Sequence, residues 1–157
     1  MTMKYDSLIR ELKGIIDDVG VKPGDTMIIS SGALAAHKLR DVDDLDVVVP
    51  GKAFKALSRH PKYGQTPGKS RLGTPIIRFD TPSGQIEITT GPFSVGGQTF
   101  GFKVPREEHG GIPHWSLDTV KRFKEAMGRP KDIADLERIK TMSKHAALFR
   151  GFFSVHL

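Results

Sequence analysis

The chain is predicted to fold as an α/β (α+β) domain, a mixed β-sheet flanked by helices. Three observations predict it. Between Tyr5 and Val19 the residues Leu8, Ile9, Leu12, Ile15, Ile16 and Val19 recur at helical spacing. Between Met27 and Val49 a short apolar strand gives way to a small-residue turn, a brief helix and a second apolar strand that begins with acids. Two strand-like runs then lie between Thr74 and Thr89, and helical periodicity returns after Trp115.

With 157 residues and no internal repeat, one domain is expected over residues 1–157. Residues 1–25 read as a helix and turn, 26–90 as the main sheet, 91–114 as a glycine-rich loop region, and 115–157 as C-terminal helices and a tail. No apolar run reaches membrane-spanning length and the N-terminus lacks a signal-peptide pattern, so no membrane partner is expected. Zero cysteines exclude disulfides, thiolate metal sites and thiol catalysis, and are compatible with a cytoplasmic protein. A net charge of +6 suits polyanionic partners, although a solvated basic surface accounts for it equally well.

The N-terminal stripe predicts a core-packing helix, and Val21-Lys22-Pro23-Gly24-Asp25 is turn chemistry. Met27 to Ser30 is short and apolar enough for a buried strand. Ser31 to Leu39 holds Ala33, Leu34, Ala35 and Ala36, good helix formers that also permit close packing. Ser30 and Ser31 open this helix as caps, or as part of an N-terminus whose unpaired N–H groups attract phosphate. In the next strand successive side chains alternate, so Asp44 and Asp46 share one face while Leu45, Val47 and Val49 face a core. Two carboxylates so placed repel each other unless a cation lies between them. Hard divalent ions such as Mg²⁺ take oxygen ligands of this kind together with substrate phosphates. Asp41-Val42-Asp43 offers the same spacing but precedes more acid rather than a strand, and is expected in the approaching loop.

Ala53 to His60 reads as a short helix with Phe54 and Leu57 inward. Pro61 to Gly73 reads as a loop, from which Lys69 and Arg71 reach a phosphate or stay exposed. Thr74 to Asp80 and Gln85 to Thr89 form a predicted hairpin about Thr81-Pro82-Ser83-Gly84, with Glu87 opposite the face that Ile86 and Ile88 bury. The six histidines show no ligand spacing; His109 and His114 flank Gly-Gly-Ile-Pro, and no zinc site is expected. Ser116 caps a helix carrying Leu117, Val120, Phe123 and Met127, Gly128 ends it, and Pro130 starts another. Asp132 and Asp135 suit the positive end of that last helix. His145 to Leu157, with Phe149, Phe152 and Phe153, is expected to dock on the core, on a second copy or on a partner.

These residues resemble the nucleotidyltransferase superfold shared by DNA polymerase beta, antibiotic nucleotidyltransferases and minimal toxin–antitoxin nucleotidyltransferases. Ile29-Ser30-Ser31 stands where that family has a hydrophobic residue, Gly, and Gly or Ser. Asp44-Leu45-Asp46 matches its Asp-x-Asp, and Arg40 precedes it by the family's spacing. Glu87 is the best match to its third carboxylate, with Asp80 as the alternative. Gly128-Arg129-Pro130-Lys131-Asp132-Ile133-Ala134-Asp135-Leu136 is similar to the C-terminal Arg-x-Lys-Asp-x-x-Asp-Leu signature of abortive-infection and antibiotic-type members.

The resemblance implies transfer of a nucleoside monophosphate from a nucleoside triphosphate, ATP among them, to an acceptor hydroxyl with release of pyrophosphate. Asp44, Asp46 and Glu87 would hold Mg²⁺ or Mn²⁺, with Glu87 alternatively the general base. Ser30, Ser31 and Gly32 would cradle phosphates, and Arg40 and Lys131 would offset their charge. RNA, protein and small molecules are all eligible acceptors. Ser30 in place of glycine supports a second expectation, a catalytically inactive binding or antitoxin module.

Overall fold

The computed structural model describes residues 3–64 and 66–156, with side chains described through 146 and at 148. Its first helix, α1 (Lys4–Asp18), buries Tyr5, Leu8, Ile9, Leu12, Ile15 and Ile16 along the predicted stripe. The start of α1 is tied down from a distance: Asp41 accepts hydrogen bonds from the backbone N–H of Lys4 at 2.7 Å and of Tyr5 at 2.9 Å. Asp41 is therefore exposed, as expected of the loop, yet it serves as a cap for donors that a helix N-terminus leaves unpaired. Those contacts hold its carboxyl below the ordinary value: burial pushes it up, but the donated hydrogen bonds and the Lys4 charge outweigh that.

A short 3₁₀ turn (Pro23–Asp25) leads into β1 (Met27–Ile28), α2 (Ser31–Ala36) and β2 (Asp44–Val48). Then follow α3 (Gly51–Ser58), β3 (Gly68–Lys69), β4 (Pro75–Thr81) and β5 (Gly84–Thr89). Two small hairpins come next, β6 (Phe93–Val95) with β7 (Gln98–Phe100), and β8 (Arg106–His109) with β9 (Ile112–Trp115). The chain finishes with α4 (Leu117–Met127) and α5 (Pro130–His156). The main sheet runs β3-β4-β5-β2-β1-β9-β8 and is mixed: β2 pairs parallel with β5 and β1 parallel with β9, while the other pairs are antiparallel. The fold class is thus α/β with a mixed sheet.

Residues 91–114, expected as irregular loop, instead carry both hairpins. Gly96-Gly97 and Gly110-Gly111 all have positive φ, the conformation that two-residue hairpin turns require and glycine adopts without strain. Strands of three or four residues are too short to show a period, which is why composition alone suggested a loop. β8 and β9 extend the main sheet beyond residue 90, and β9 is buried along its whole length.

Two apolar clusters cover the two faces of the sheet. Leu45, Val47 and Val49 join α1 and α3 in the first, whereas Val48 joins Phe93, Phe100, Trp115 and Phe123 in the second. The alternation along β2 therefore turns Asp44 and Asp46 toward the side on which α4 packs. α2 lies close over the sheet because residue 32 has no side chain: a Cβ there would sit 2.5 Å from Ile28 Cγ2 and 3.0 Å from Leu45 Cδ1. Gly32→Ala is expected to cost about 1–2 kcal/mol despite alanine's better helix propensity, read as a lower denaturant midpoint.

Among the described residues no helix is long and apolar enough to cross a membrane. The aromatic tail residues Phe149, Phe152 and Phe153 lie outside the described side chains, although the backbone of α5 remains helical to His156.

Candidate active site

One cavity of about 700 Å³ opens where β2, β5 and the start of α2 face the α4–α5 junction. Its acidic wall is Asp43, Asp44, Asp46 and Glu87, and cations stand around it: Arg40, Lys69, Arg71, Arg78, Lys124, Arg129 and Lys131. Ser30 and Ser31 line the same space. Sheet register sets the acidic wall. β2 and β5 run parallel with Asp46 opposite Glu87, and Asp44 lies two residues before Asp46 on the same face.

Asp46 is the most perturbed of these groups. Burial first, then the charges of Asp44 and Glu87, push its carboxyl from 3.8 up to about 7, against the opposing pull of Lys131 and Lys124. Glu87 is engaged across the hairpin by Arg78, whose Nε donates to it at 3.0 Å. Asp44 is exposed at the mouth. The cluster of three metal-type donors found within 4.8 Å among the described residues lies elsewhere, at His37, Glu107 and His109. The acidic wall thus offers hard oxygen donors suited to Mg²⁺, an ion that uses one or two carboxylates and completes its shell with water and phosphate.

The turn at Ser30 has the shape that a glycine would prefer, φ 55° and ψ −128°. A serine held there carries strain on the order of 1–3 kcal/mol. It persists because the site around it is closely specified: Ser30 is buried and Lys124 Nζ approaches its Oγ at 3.5 Å and Ser31 Oγ at 3.3 Å. Gly32 sits behind this turn, packed on Ile28 and Leu45, rather than on the cavity wall.

The C-terminal signature acts through Lys124. Asp132 and Asp135 project from the first turns of α5, fully buried, and both bind Lys124 Nζ, at 3.4 Å and 2.9 Å. Asp132 also takes Arg129 Nε at 2.6 Å, and Asp135 takes Arg40 at 3.2 Å and Arg138 at 2.9 Å. Burial opposes the ionised form of each carboxyl, but the hydrogen bonds from Arg129 to Asp132 and from Lys124 to Asp135, with neighbouring cationic charge, hold both below the ordinary value. Arg40, expected to face phosphate, therefore spends one guanidinium nitrogen on Asp135 while lining the cavity. Lys131 is exposed at the rim.

Lys124 is the site residue that sequence reasoning passed over. Its signal was a lysine one residue after Phe123 and four after Val120, on the stripe that α4 buries; at such a position the ammonium needs anionic partners. Gly128 closes α4 in the left-handed conformation at φ 62°, and Pro130 opens α5, so the chain reverses and delivers Asp132 and Asp135 back to Lys124.

No family model matches this chain, and no curated protein matches it in sequence. Its fold matches solved structures. The antibiotic nucleotidyltransferase ANT(2″)-Ia, in a crystal structure with adenylyl-2″-tobramycin, is 16% identical over 96% of this chain and 98% of its own, with a TM-score of 0.56. A candidate nucleotidyltransferase from Thermotoga maritima is 16% identical over 87% of this chain and 94% of its own, with a TM-score of 0.57. The solution structure of ANT(2″)-Ia matches at 14% identity, 94% and 96% coverage, and a TM-score of 0.51. The nine strands and five α-helices among the described residues together have the nucleotidyltransferase fold.

Proposed function

We propose that the protein transfers a nucleoside monophosphate from a nucleoside triphosphate to an acceptor hydroxyl, releasing pyrophosphate, in a Mg²⁺- or Mn²⁺-dependent reaction. The observation that carries this reading is the acidic wall: Asp46 raised to about 7 between Asp44 and Glu87, facing cations across one cavity. Carboxylates drawn together on a partly buried wall, where burial first and mutual repulsion second oppose their charge, suit a divalent ion.

Asp44 and Asp46 are the residues that would hold the metal, with Glu87 completing the set on leaving Arg78 or serving as general base for the acceptor hydroxyl. Bound there, the ion would supply charge neutralisation at the phosphates and lower the barrier for attack on the α-phosphorus. The chain's own groups do the rest. Lys124, clamped by two carboxylates, holds the Ser30–Ser31 turn in shape from beneath. Lys131 and Arg40 at the rim balance the charge of the β- and γ-phosphates. The acceptor oxygen forms its bond to the α-phosphorus as the bond to the pyrophosphate oxygen breaks, and the hydroxyl proton passes to a carboxylate or to water.

The inactive-module alternative stands on Ser30 in place of glycine and on the lack of a recognisable acceptor domain. The backbone at Ser30 nevertheless keeps a glycine-like conformation, which favours the transferase. Because ANT(2″)-Ia was solved with adenylyl-2″-tobramycin, an aminoglycoside hydroxyl is a sensible first acceptor to test beside RNA and protein. Asp44→Asn is expected to lower transfer by about a hundredfold to a thousandfold, the several kcal/mol that a displaced catalytic metal is worth. Steady-state rates over a Mg²⁺ series check this, and undiminished activity would overturn the assignment.

A further inference from the structure

A second group of metal-type donors lies outside the carboxylate cavity. His37 caps the C-terminal end of α2, and Glu107 and His109 stand two residues apart on one face of the edge strand β8. His37 Nε2 and His109 Nε2 both meet Glu107 Oε1, the second at 3.2 Å, and the ring centroids of the two histidines are 4.9 Å apart. All three donor atoms lie within 4.8 Å of one another. None of the three residues lines the carboxylate cavity.

We propose that His37, Glu107 and His109 bind a divalent transition metal, Zn²⁺ foremost, in a three-residue site with its fourth position open to water. Two imidazoles and one carboxylate are a donor set used by zinc, which coordinates them at about 2.0–2.2 Å. Ligands of a tetrahedral ion at that range stand about 3.3 Å apart; the His109–Glu107 separation of 3.2 Å is close to this, whereas His37, in direct contact with Glu107, would draw back to admit the ion. The set selects for zinc over Mg²⁺, because imidazole suits transition metals and Mg²⁺ prefers oxygen alone. The side chains are 24–32% exposed, so the pocket is shielded on one side and reachable from the other.

The scaffold beneath fixes the ligands. Lys38, at φ 59°, stops α2, and the Leu39 N–H bonds to the Leu34 carbonyl at 3.1 Å, which holds His37 at a closed helix end. Glu107 pairs in register with His114 of β9, whose ring packs edge-on to His109 at 4.9 Å. His114 is itself fully buried and committed: one ring nitrogen meets the Ile112 carbonyl at 2.8 Å and the other the Tyr5 hydroxyl at 2.6 Å. It acts as a wall for the site rather than a ligand. An ion bound here would join α2, which begins at the Ser30–Ser31 turn, to the outer edge of the sheet.

The test uses untagged full-length protein, stripped with chelator and held in Mg²⁺ so that the carboxylate cavity is saturated. Zn²⁺ is titrated by calorimetry, and Co²⁺ serves as a spectroscopic probe. The expected result is one Zn²⁺ per chain, a rise in melting temperature, and visible Co²⁺ bands of four-coordinate intensity. His37→Gln and His109→Gln are each expected to weaken binding by about a hundredfold or more, since even outer partners of metal ligands are worth tenfold to a hundredfold. Asp44→Asn/Asp46→Asn is expected to leave binding unchanged, which separates this site from the transferase reading. No uptake by the unaltered protein, uptake that survives both histidine substitutions, or uptake lost with Asp44 and Asp46 would each overturn the proposal. If a histidine variant does not fold, the Co²⁺ spectrum of the unaltered protein decides alone, and absence of the four-coordinate bands refutes the site.

Discussion

Replacing Lys124 with methionine is expected to destabilise the protein by about 3–5 kcal/mol, the usual result of removing one member of a buried ion cluster. Lys124 is 1% exposed and sits between two carboxylates that are fully buried. Its loss leaves Asp132 and Asp135 dependent on Arg129, Arg40 and Arg138, which reach them only from the partly exposed side. Urea denaturation reads the loss directly. A Lys124→Met/Asp135→Asn double variant should lose clearly less than the sum of the single losses, because the partners share one interaction. Additive losses under 1 kcal/mol would mean that the cluster contributes little.

Asp46→Asn is expected to have the opposite sign in metal-free protein, growing as pH rises from about 4 and complete above pH 7. The folded carboxyl titrates at about 7 and the ordinary one at 3.8. Between those values the folded state holds a proton that the unfolded state has released, so stability falls as pH rises through that window and the full loss is reached above pH 7. Asparagine removes the charge and with it this pH dependence. In chelator at pH 8 the variant should be more stable by on the order of 2 kcal/mol, a figure reduced from the full linkage value because Asp46 retains some solvent access. Near pH 4 the two proteins should converge. Added Mg²⁺ should stabilise the unaltered protein and not the variant, since a ligand that binds only the folded state stabilises it by mass action. Urea midpoints across pH, with and without Mg²⁺, check both signs; a variant less stable at every pH would show that Asp46 is not under electrostatic strain.

Much of the fold was legible because it depends on local patterns. The stripe on α1, the alternation Asp44-Leu45-Asp46-Val47 on β2 and the Gly128–Pro130 break between α4 and α5 each follow from residues within a few positions of one another. The acidic wall was partly legible for the same reason: Asp44 and Asp46 share a strand, and Glu87 alternates with Ile86 and Ile88 on the next. What escaped depends on distance in the chain. β6 to β9 are too short for a period to register, and β9 is buried on both faces, so its Ile112-Pro113-His114-Trp115 shows no alternation. Lys124 gains its meaning from Ser30 and Ser31, more than ninety residues earlier. His37 meets Glu107 only because α2 ends beside the sheet edge, seventy residues apart in sequence. Asp132 and Asp135 stand at the positive start of α5 as expected, Asp132 accepting from the Arg129 N–H at 3.0 Å; that burial also makes them the anchors of a lysine is not legible locally.

Nucleotidyl transfer moves the α-phosphoryl end of the nucleotide, and the position of an isotope reports which end moves. Parallel reactions would contain α-labelled or γ-labelled nucleoside triphosphates, Mg²⁺ or Mn²⁺, and separate pools of RNA, lysate protein and aminoglycosides. We expect α-label on one pool, γ-label only in released pyrophosphate, and neither with Asp44→Asn/Asp46→Asn. γ-Label on an acceptor, α-label transferred equally by the double variant, or no transfer to any pool would rule out nucleotidyl transfer at Asp44 and Asp46.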